Sequence, residues 1–172
     1  MTSSITQDTL ENLALTLGQA LNAKSWTLAA AESCTGGWVA QAMTAIAGSS
    51  VWFDRGFVTY SNDAKHEMLG VTLATIADHG AVSSATADAM ARGALANSRA
   101  TLAVSITGVA GPTGGSATKP VGTVWFGFAV RDGVTLTRHR VFDGDRHAIR
   151  IQAVAFALRG LLAISADQLP ES

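Results

Sequence analysis

The chain has 172 residues, of which 48% are apolar and 15% are charged, and its formal net charge is −1. This length predicts a single domain over residues 1–172, with a core from about residue 5 to residue 164, because it suffices for one good hydrophobic core but not for two. Its 12 basic and 13 acidic residues form no run that would attract a polynucleotide. We therefore expect no nucleic-acid partner.

The cysteine content and the hydropathy pattern indicate in which cellular compartment the protein is expected. Cys34 is the only cysteine, which excludes an intramolecular disulfide and a cysteine-rich zinc cluster. Met1–Asp8 lacks the basic start and the apolar stretch of a signal peptide, and we find no later run of about 18 apolar residues that indicates a membrane span. We expect a cytoplasmic protein without a membrane partner.

The first 70 residues alternate predicted helices with predicted strands. Apolar periodicity and β-branched content indicate a helix over about Ile5–Asn22, a strand over Thr27–Ala31, a helix over Trp38–Ala47 and a strand over Val51–Tyr60. Gly48 can end the second helix, and Gly56 predicts a bend in the second strand. Asn62 is expected to cap a short helix through Leu69.

The rest of the chain continues this alternation after a predicted loop over residues 70–80. The expected elements are a helix from Ser83 or Ser84 to roughly Asn97, a strand over Thr101–Thr107, strands over Gly122–Val130 and Val134–Phe142, and a helix from about Arg146 to Ala163. Asp132-Gly133 is a hairpin signal, so the last two strands should be antiparallel. The fold class predicted is α/β, a three-layer α/β/α sandwich with a mixed sheet, and residues 167–172 are expected to be frayed.

Ser33 follows the first predicted strand and precedes a helix. Its hydroxyl can therefore lie above the sheet, beside the N–H groups of Thr35, Gly36 and Gly37, where glycine would leave an oxyanion site open. The alternative is that Ser33 or Thr35 only caps the helix and that the glycines allow close packing. Cys34 is a rival nucleophile, because a thiolate at a helix start is stabilised. Neighbouring residues in a turn point in different directions, so only one of the two can face a substrate.

Lys65 and Tyr60 are candidates for a base and its neighbour. Of the lysines Lys24, Lys65 and Lys119, only Lys65 opens a predicted helix directly after a strand. A lysine can accept the proton of a serine if burial or positive charge lowers its pKa, and a helix N-terminus acts in that direction. Tyr60 can relay a proton or stack on a planar ring. The alternative is a solvated lysine and a half-buried packing tyrosine.

Two further segments suggest anion binding. Arg146 and Arg150 lie four residues apart at the start of the last predicted helix, so both can grip an anion, although two solvent-facing arginines are an equal alternative. The glycine-rich loop over residues 108–120 carries four of the 17 glycines and is long for a connection, and such loops are often functional.

The histidines at positions 66, 79, 139 and 147 lack the spacing of a helical metal site, so we expect no metal.

Several motifs in fixed order resemble the CinA carboxy-terminal domain family over about Ile5–Leu162. The matching segments are Ala31–Gly37, Val58–Asn62, His79–Ser83, Ile106–Pro112, Lys119–Val124 and Gly144–Arg146 followed by Ile149-Arg150. Asp63 stands where many relatives carry Glu, which keeps the charge in the first turn of the helix. The enzymatic members of this family are nicotinamide-nucleotide amidohydrolases. Many relatives also carry an amino-terminal domain similar to molybdopterin-binding proteins, and this sequence looks like the stand-alone form.

The resemblance implies an α/β/α fold and a Ser/Lys hydrolase that needs no cofactor. Its substrate would be a pyridine nucleotide, nicotinamide mononucleotide, which is converted to nicotinic acid mononucleotide and ammonia. The implied roles are Ser33 as nucleophile, Lys65 as base, Tyr60 as a neighbouring active-site residue, Thr107 and Gly108 as pocket lining, and Arg146 as the phosphate ligand.

Two alternatives and the assembly state stay open at this point. One alternative is a non-catalytic nucleotide-binding or competence-related interaction module, since members of the family are linked to DNA uptake. The other is an amidohydrolase with a different carboxamide substrate, because sequence does not reveal pocket shape. Apolar residues such as Trp52 and Phe53 suggest a subunit interface, and we expect a homo-oligomer.

Overall fold

The computed structural model describes residues 5–172. The strands are β1 (Leu28–Glu32), β2 (Phe53–Val58), β3 (Leu102–Gly108), β4 (Thr123–Val130) and β5 (Thr135–Val141). The helices are α1 (Gln7–Ala23), α2 (Trp38–Thr44), α3 (Asn62–Leu69), α4 (Leu73–His79), α5 (Ser84–Ala96) and α6 (Arg146–Ser165), with a short 3₁₀ helix at Ser49–Val51.

The five strands form one mixed sheet in the order β2-β1-β3-β4-β5. Strand β1 runs parallel to β2 and to β3, whereas β4 is antiparallel to both β3 and β5. One apolar cluster joins the sheet to α1, α2 and α6, and a second joins its other face to α3, α4 and α5. The prediction of a three-layer α/β/α fold with a mixed sheet is confirmed.

The central strands are buried on both faces because helices cover the two sides of the sheet. All five residues of β1 are buried, and β3 is buried from Leu102 to Thr107. Continuous apolar runs of this kind are typical of strands inside α/β sandwiches. The edge strand β2 is instead largely exposed or half-buried.

Helix α6 is the one described helix that is long and apolar enough to cross a membrane by length and composition. No such segment was predicted from the sequence. Of its most apolar window, 61% is buried inside the protein, where residues such as Val154, Leu158 and Leu161 pack in the core. Its apolar composition is therefore that of a core helix.

The fold brings the ends of three parallel strands to one edge of the sheet. The Ser33 N–H donates to the Ile106 carbonyl (2.9 Å), so the residue after β1 stays attached to β3. On the other side, the Thr59 N–H donates to the Glu32 carbonyl (2.8 Å), which ties the end of β2 to β1. Ligand sites in open α/β sheets lie at the carboxyl ends of strands, and this edge is that position.

Several local predictions need correction. Helix α2 ends at Thr44 rather than near Ala47. The irregularity in β2 lies at Asp54, because Leu28 pairs with Phe53 and Ala29 with Arg55, whereas Gly56 lets the strand pack against the Ala40 side chain. Helix α3 is capped by Ser61, whose hydroxyl accepts from the Ala64 N–H (3.0 Å).

Two segments are more ordered than predicted. The expected loop over residues 70–80 contains α4, which Thr72 caps by accepting from the Thr75 N–H. The C-terminal residues are not frayed, because Arg138 donates to the carbonyls of Pro170 (3.2 Å) and Glu171 (3.1 Å). Trp52 and Phe53, considered for an interface, are only partly exposed and pack against the core beside α1 and α2. The homo-oligomer stays a prediction.

Candidate active site

Ser33 and Lys65 meet at the sheet edge. The Lys65 Nζ lies 3.0 Å from the Ser33 Oγ. Ser33 sits in the turn after β1, and Lys65 is in the first turn of α3, which starts four residues after β2 ends. Because β1 and β2 are parallel neighbours, their carboxyl ends place the two side chains side by side. The structure therefore brings together the two residues predicted as nucleophile and base.

Burial favours the uncharged form of Lys65. Its side chain is only 1% exposed, and within the described residues it forms no ion pair with a carboxylate. Burial lowers the pKa of its amine, since the charged form loses hydration. Nζ is also 2.8 Å from the Thr59 carbonyl and 3.5 Å from the Tyr60 carbonyl. Nζ therefore lies within hydrogen-bond distance of three oxygens, the Ser33 hydroxyl and the two carbonyls.

Cys34 is unsuited to be the nucleophile. Its side chain is 6% exposed, and burial, followed by the negative charge of Glu32, raises the pKa of the thiol to about 12. A thiol in this environment stays protonated at neutral pH and is a poor nucleophile. The thiolate-stabilising helix start considered from the sequence is outweighed by desolvation.

The turn after Ser33 differs from the predicted oxyanion site. The Gly36 N–H donates to the Ser33 carbonyl (3.0 Å), and the Gly37 N–H donates to a carboxylate oxygen of Glu32 (3.1 Å). These two groups are therefore occupied. Both glycines have a positive φ, 62° and 98°, so the turn needs glycine for its backbone conformation rather than for open N–H groups. The Thr35 hydroxyl also donates to Glu32 (2.6 Å).

Arg150 holds the turn rather than an anion. Its Nε donates to the Cys34 carbonyl (3.0 Å), one of its terminal nitrogens donates to the Thr35 carbonyl (3.1 Å), and its guanidinium lies over the Trp38 ring. The prediction that Arg146 and Arg150 together grip an anion is thus wrong for Arg150. Its side chain is committed to stabilising the nucleophile turn.

A cleft of about 270 Å³ contains the Ser33–Lys65 pair. Its lining includes Tyr60, Thr107, Gly108 and Arg146, all predicted from the sequence, whereas Thr35, Gly36 and Gly37 are not among its lining residues in the described chain. No individual site role was predicted from the sequence for the other lining residues, which are Asn62, Ala81, Val82, Val109, Ala110, Gly111, Thr113 and Gly114. Most of these belong to the glycine-rich loop whose unusual length was the available signal.

Arg146 and Tyr60 form the mouth of this cleft. One terminal nitrogen of Arg146 donates to the Gly111 carbonyl (2.8 Å), and the other donates to the Tyr60 hydroxyl (3.0 Å). The Tyr60 side chain is 62% exposed. Its hydroxyl contacts Arg146 rather than the reacting pair, which Tyr60 reaches only through its carbonyl. Arg146 and Tyr60 are therefore placed to contact a charged or planar group of a ligand.

Thr107 and Gly108 shape the floor between β3 and the loop. The Thr107 hydroxyl donates to the Ala81 carbonyl (2.7 Å), so its role is to hold the segment before α5. A Cβ at Gly108 would lie 2.8 Å from the Thr123 carbonyl oxygen, which explains why glycine is needed there.

A larger groove of about 580 Å³ lies beside the cleft and shares Val82 with it, but it contains neither Ser33 nor Lys65. In residues 5–172, no cluster of His, Cys, Asp or Glu is arranged to hold a metal.

Comparisons with known proteins agree with this architecture. Residues 10–164 match the family described as CinA C-terminal domain. The nicotinamide-nucleotide amidohydrolases PncC of Enterobacter agglomerans and Escherichia coli K12 are 58% and 57% identical to this chain, over 89% and 91% of it and 93% and 95% of their own lengths. PncC of Pseudomonas putida is 48% identical over 93% of this chain and 99% of its own.

Solved structures give the same result. The competence/damage inducible protein CihA from Agrobacterium tumefaciens superposes with a TM-score of 0.88 at 47% identity, covering 95% of this chain and 99% of its own. The competence damage-inducible protein A (ComA) from Klebsiella pneumoniae gives 0.85 at 41% identity, covering 91% and 95%. Sequence and fold thus agree along nearly the whole described chain, which belongs to the CinA C-terminal domain family.

Proposed function

We propose that this protein is an amidohydrolase that converts nicotinamide mononucleotide and water to nicotinic acid mononucleotide and ammonia. The observation that carries the proposal is the 3.0 Å contact between the Ser33 Oγ and the buried Lys65 Nζ. The names of relatives that are 57–58% identical support the substrate class. A serine beside a lysine base whose pKa burial lowers is suited to the cleavage of an unreactive carboxamide.

In the acylation step, the Ser33 oxygen attacks the carboxamide carbon while its proton moves to the Lys65 amine. The tetrahedral intermediate then breaks its C–N bond, and Lys65 returns the proton to the departing nitrogen, which leaves as ammonia. A serine ester of nicotinic acid mononucleotide remains. Water attacks this ester after giving a proton to Lys65, and the proton returns to the Ser33 oxygen as the acid leaves.

The negative oxygen of the intermediate needs hydrogen-bond donors. The Gly36 and Gly37 N–H groups are engaged within the turn, so they do not fill this role. The Cys34 N–H donates to no other residue within the described part of the chain, and Cys34 lines the cleft. We assign the oxyanion to this N–H, which follows the nucleophile directly, as in other serine hydrolases whose nucleophile lies in a strand-to-helix turn.

Arg146 is the phosphate ligand in this proposal. Its guanidinium stands at the mouth of the cleft that holds Ser33, and it is the only arginine in the cleft lining of the described chain. A guanidinium binds phosphate through charge-assisted hydrogen bonds. Tyr60 holds Arg146 in place through its hydroxyl, and its exposed ring offers a planar surface to the pyridine. Phosphate binding at the mouth then fixes the carboxamide near Ser33.

Ammonia release from nicotinamide mononucleotide tests the proposal. We expect turnover by the wild-type protein and a loss of about 10²- to 10⁴-fold in Lys65→Met, the range for removal of a general base. Lys24→Met is the matched control, because Lys24 lies in an ion pair with Asp167 away from the cleft. Nucleotide binding without ammonia across about pH 6 to 9 would instead favour a non-catalytic binding module. Faster turnover of another pyridine carboxamide would identify a different substrate.

A further inference from the structure

Glu32 is a buried carboxylate immediately before the nucleophile. It is the last residue of β1 and is 1% exposed. Within the described residues it forms no ion pair with a lysine, arginine or histidine. Burial of a carboxylate without such a partner is unfavourable unless hydrogen bonds replace the lost hydration. Its surroundings must therefore supply donors.

Four donors converge on the Glu32 carboxylate. Oε2 accepts from the Thr35 hydroxyl (2.6 Å) and from the N–H groups of Gly37 and Val39 (both 3.1 Å). Oε1 accepts from the Ala40 N–H (3.0 Å). Both oxygens act only as acceptors, which is the pattern of an ionised carboxylate. A single side chain thus ties the end of β1 to the first turn of α2.

These bonds replace a cap that α2 otherwise lacks. Gly37 is the N-cap residue of α2 and has no side chain to satisfy the first N–H groups of the helix. Glu32 satisfies them from five residues upstream, and its negative charge interacts favourably with the positive end of the helix. The segment enclosed between Glu32 and α2 is the turn that carries Ser33.

The opposite side of the same turn is held by Arg150, through the carbonyls of Cys34 and Thr35. Within the turn, the Thr35 hydroxyl and the Gly37 N–H bind Glu32, and the carbonyls of Cys34 and Thr35 bind Arg150. The Ser33 hydroxyl and the Cys34 N–H are left for the cleft. Hydrogen bonds thus hold the turn from both sides.

We propose that Glu32 is a positioning residue for Ser33, whose buried carboxylate holds the nucleophile turn against α2 so that the serine hydroxyl stays within hydrogen-bond distance of Lys65. This inference rests on the amidohydrolase function proposed above. Within the described residues the Glu32 carboxylate forms no hydrogen bond with Lys65 or Arg146, so in this proposal it acts on the geometry of the reacting pair and not on phosphate binding.

The test replaces Glu32 with Gln. One oxygen becomes an NH₂ group, and in either orientation at least one N–H of α2 then faces a donor instead of an acceptor. We expect kcat per folded molecule to fall by about ten-fold or more, because small displacements of reacting groups lower rates strongly, while KM for nicotinamide mononucleotide stays within about three-fold. Asp88→Asn is the control, since it makes the same chemical change in a surface ion pair with Arg92 and should leave both constants unchanged.

A second readout follows the nucleophile without substrate. The rate at which a fluorophosphonate labels Ser33 should fall in Glu32→Gln by a factor similar to that of kcat, whereas Ser33→Ala should not label. Thr35→Val removes only the hydroxyl bond to Glu32 and should lower kcat in the same direction, and Thr35→Ser should restore it. If Glu32→Gln does not fold, the Thr35 pair decides the question.

Wild-type kcat and labelling rate in folded Glu32→Gln would overturn the proposal, as would a change confined to KM. Equal kcat in Thr35→Val and Thr35→Ser would also contradict it. Failure of the proposed function is a separate result: the wild-type protein would then release no ammonia from nicotinamide mononucleotide, while the Ser33 labelling rates would still compare Glu32→Gln with the wild type.

Discussion

Replacing Lys65 with Met should change how the stability of the protein depends on pH. Lys65 is 1% exposed, lacks an ion-pair partner in the described chain, and has a pKa that burial lowers. Methionine has a similar length and no charge to bury. The pH dependence of the difference in unfolding free energy between the two proteins therefore reports the contribution of the buried Lys65 amine.

The sign follows from proton binding. In the unfolded chain, Lys65 binds a proton up to its ordinary pKa of about 10.4, whereas in the folded protein it releases the proton at a lower pH. Between these two pKa values the unfolded state binds more protons, so the unfolding free energy rises with pH. The slope for one group is at most about 1.4 kcal/mol per pH unit. Below the lowered pKa, both states are protonated and the stabilisation is absent.

Urea unfolding of the wild-type protein and Lys65→Met from about pH 7 to pH 10 measures this effect. We expect the wild type to gain stability relative to the variant as pH rises. Cys34 has the opposite dependence, because burial raises its pKa to about 12 and the folded state then keeps a proton that the unfolded state loses. Because Cys34 and Lys65 influence each other's pKa, both proteins are compared in a Cys34→Ala background, in which this contribution is absent. A difference that is flat with pH would refute an uncharged, buried Lys65.

Three further outcomes are expected. Arg146→Ala should raise KM for nicotinamide mononucleotide by about ten-fold or more, the effect of losing a charged hydrogen bond, with little change in kcat in a steady-state assay; a loss confined to kcat would contradict phosphate binding. Iodoacetamide at about pH 8 should label Cys34 only in urea-unfolded protein, because the native thiol is buried with its pKa raised to about 12, and rapid native labelling would contradict this. Ser61→Ala should lower the unfolding free energy in urea by about 1 kcal/mol through loss of the α3 cap, and an unchanged value would show that the cap is dispensable.

The main elements of the fold were predictable because their patterns are long. Helices α1 and α6 carry apolar stripes over several turns, and β1 and β3 are continuous buried runs. Helix α4 was missed because it has only seven residues, of which Ile76 alone is buried. The C-terminal residues were wrongly predicted to be frayed because they are held by hydrogen bonds from Arg138 on β5. This residue lies about thirty residues away along the chain, so a local sequence pattern does not reveal the contact.

The candidate site shows the same division between local and distant information. Ser33 and Lys65 were identifiable because each follows a strand, and parallel strands end at one edge of the sheet. The functions of Gly36 and Gly37 were misassigned, because glycines required for positive φ cannot be distinguished in sequence from glycines that expose N–H groups. Arg150 was predicted to bind an anion together with Arg146, but it donates to the nucleophile turn instead. Position on a helix does not determine which partner a long side chain reaches.

The most direct test of the Ser33–Lys65 pair is the rate of ammonia release by Ser33→Ala compared with Cys34→Ala, both with their folding verified by urea unfolding. Removal of the nucleophile should lower kcat by at least about 10³-fold in Ser33→Ala, while Cys34→Ala should retain measurable turnover because its backbone N–H is unchanged. Near-normal turnover by Ser33→Ala, together with complete loss in Cys34→Ala, would contradict the assignment of Ser33 as the nucleophile.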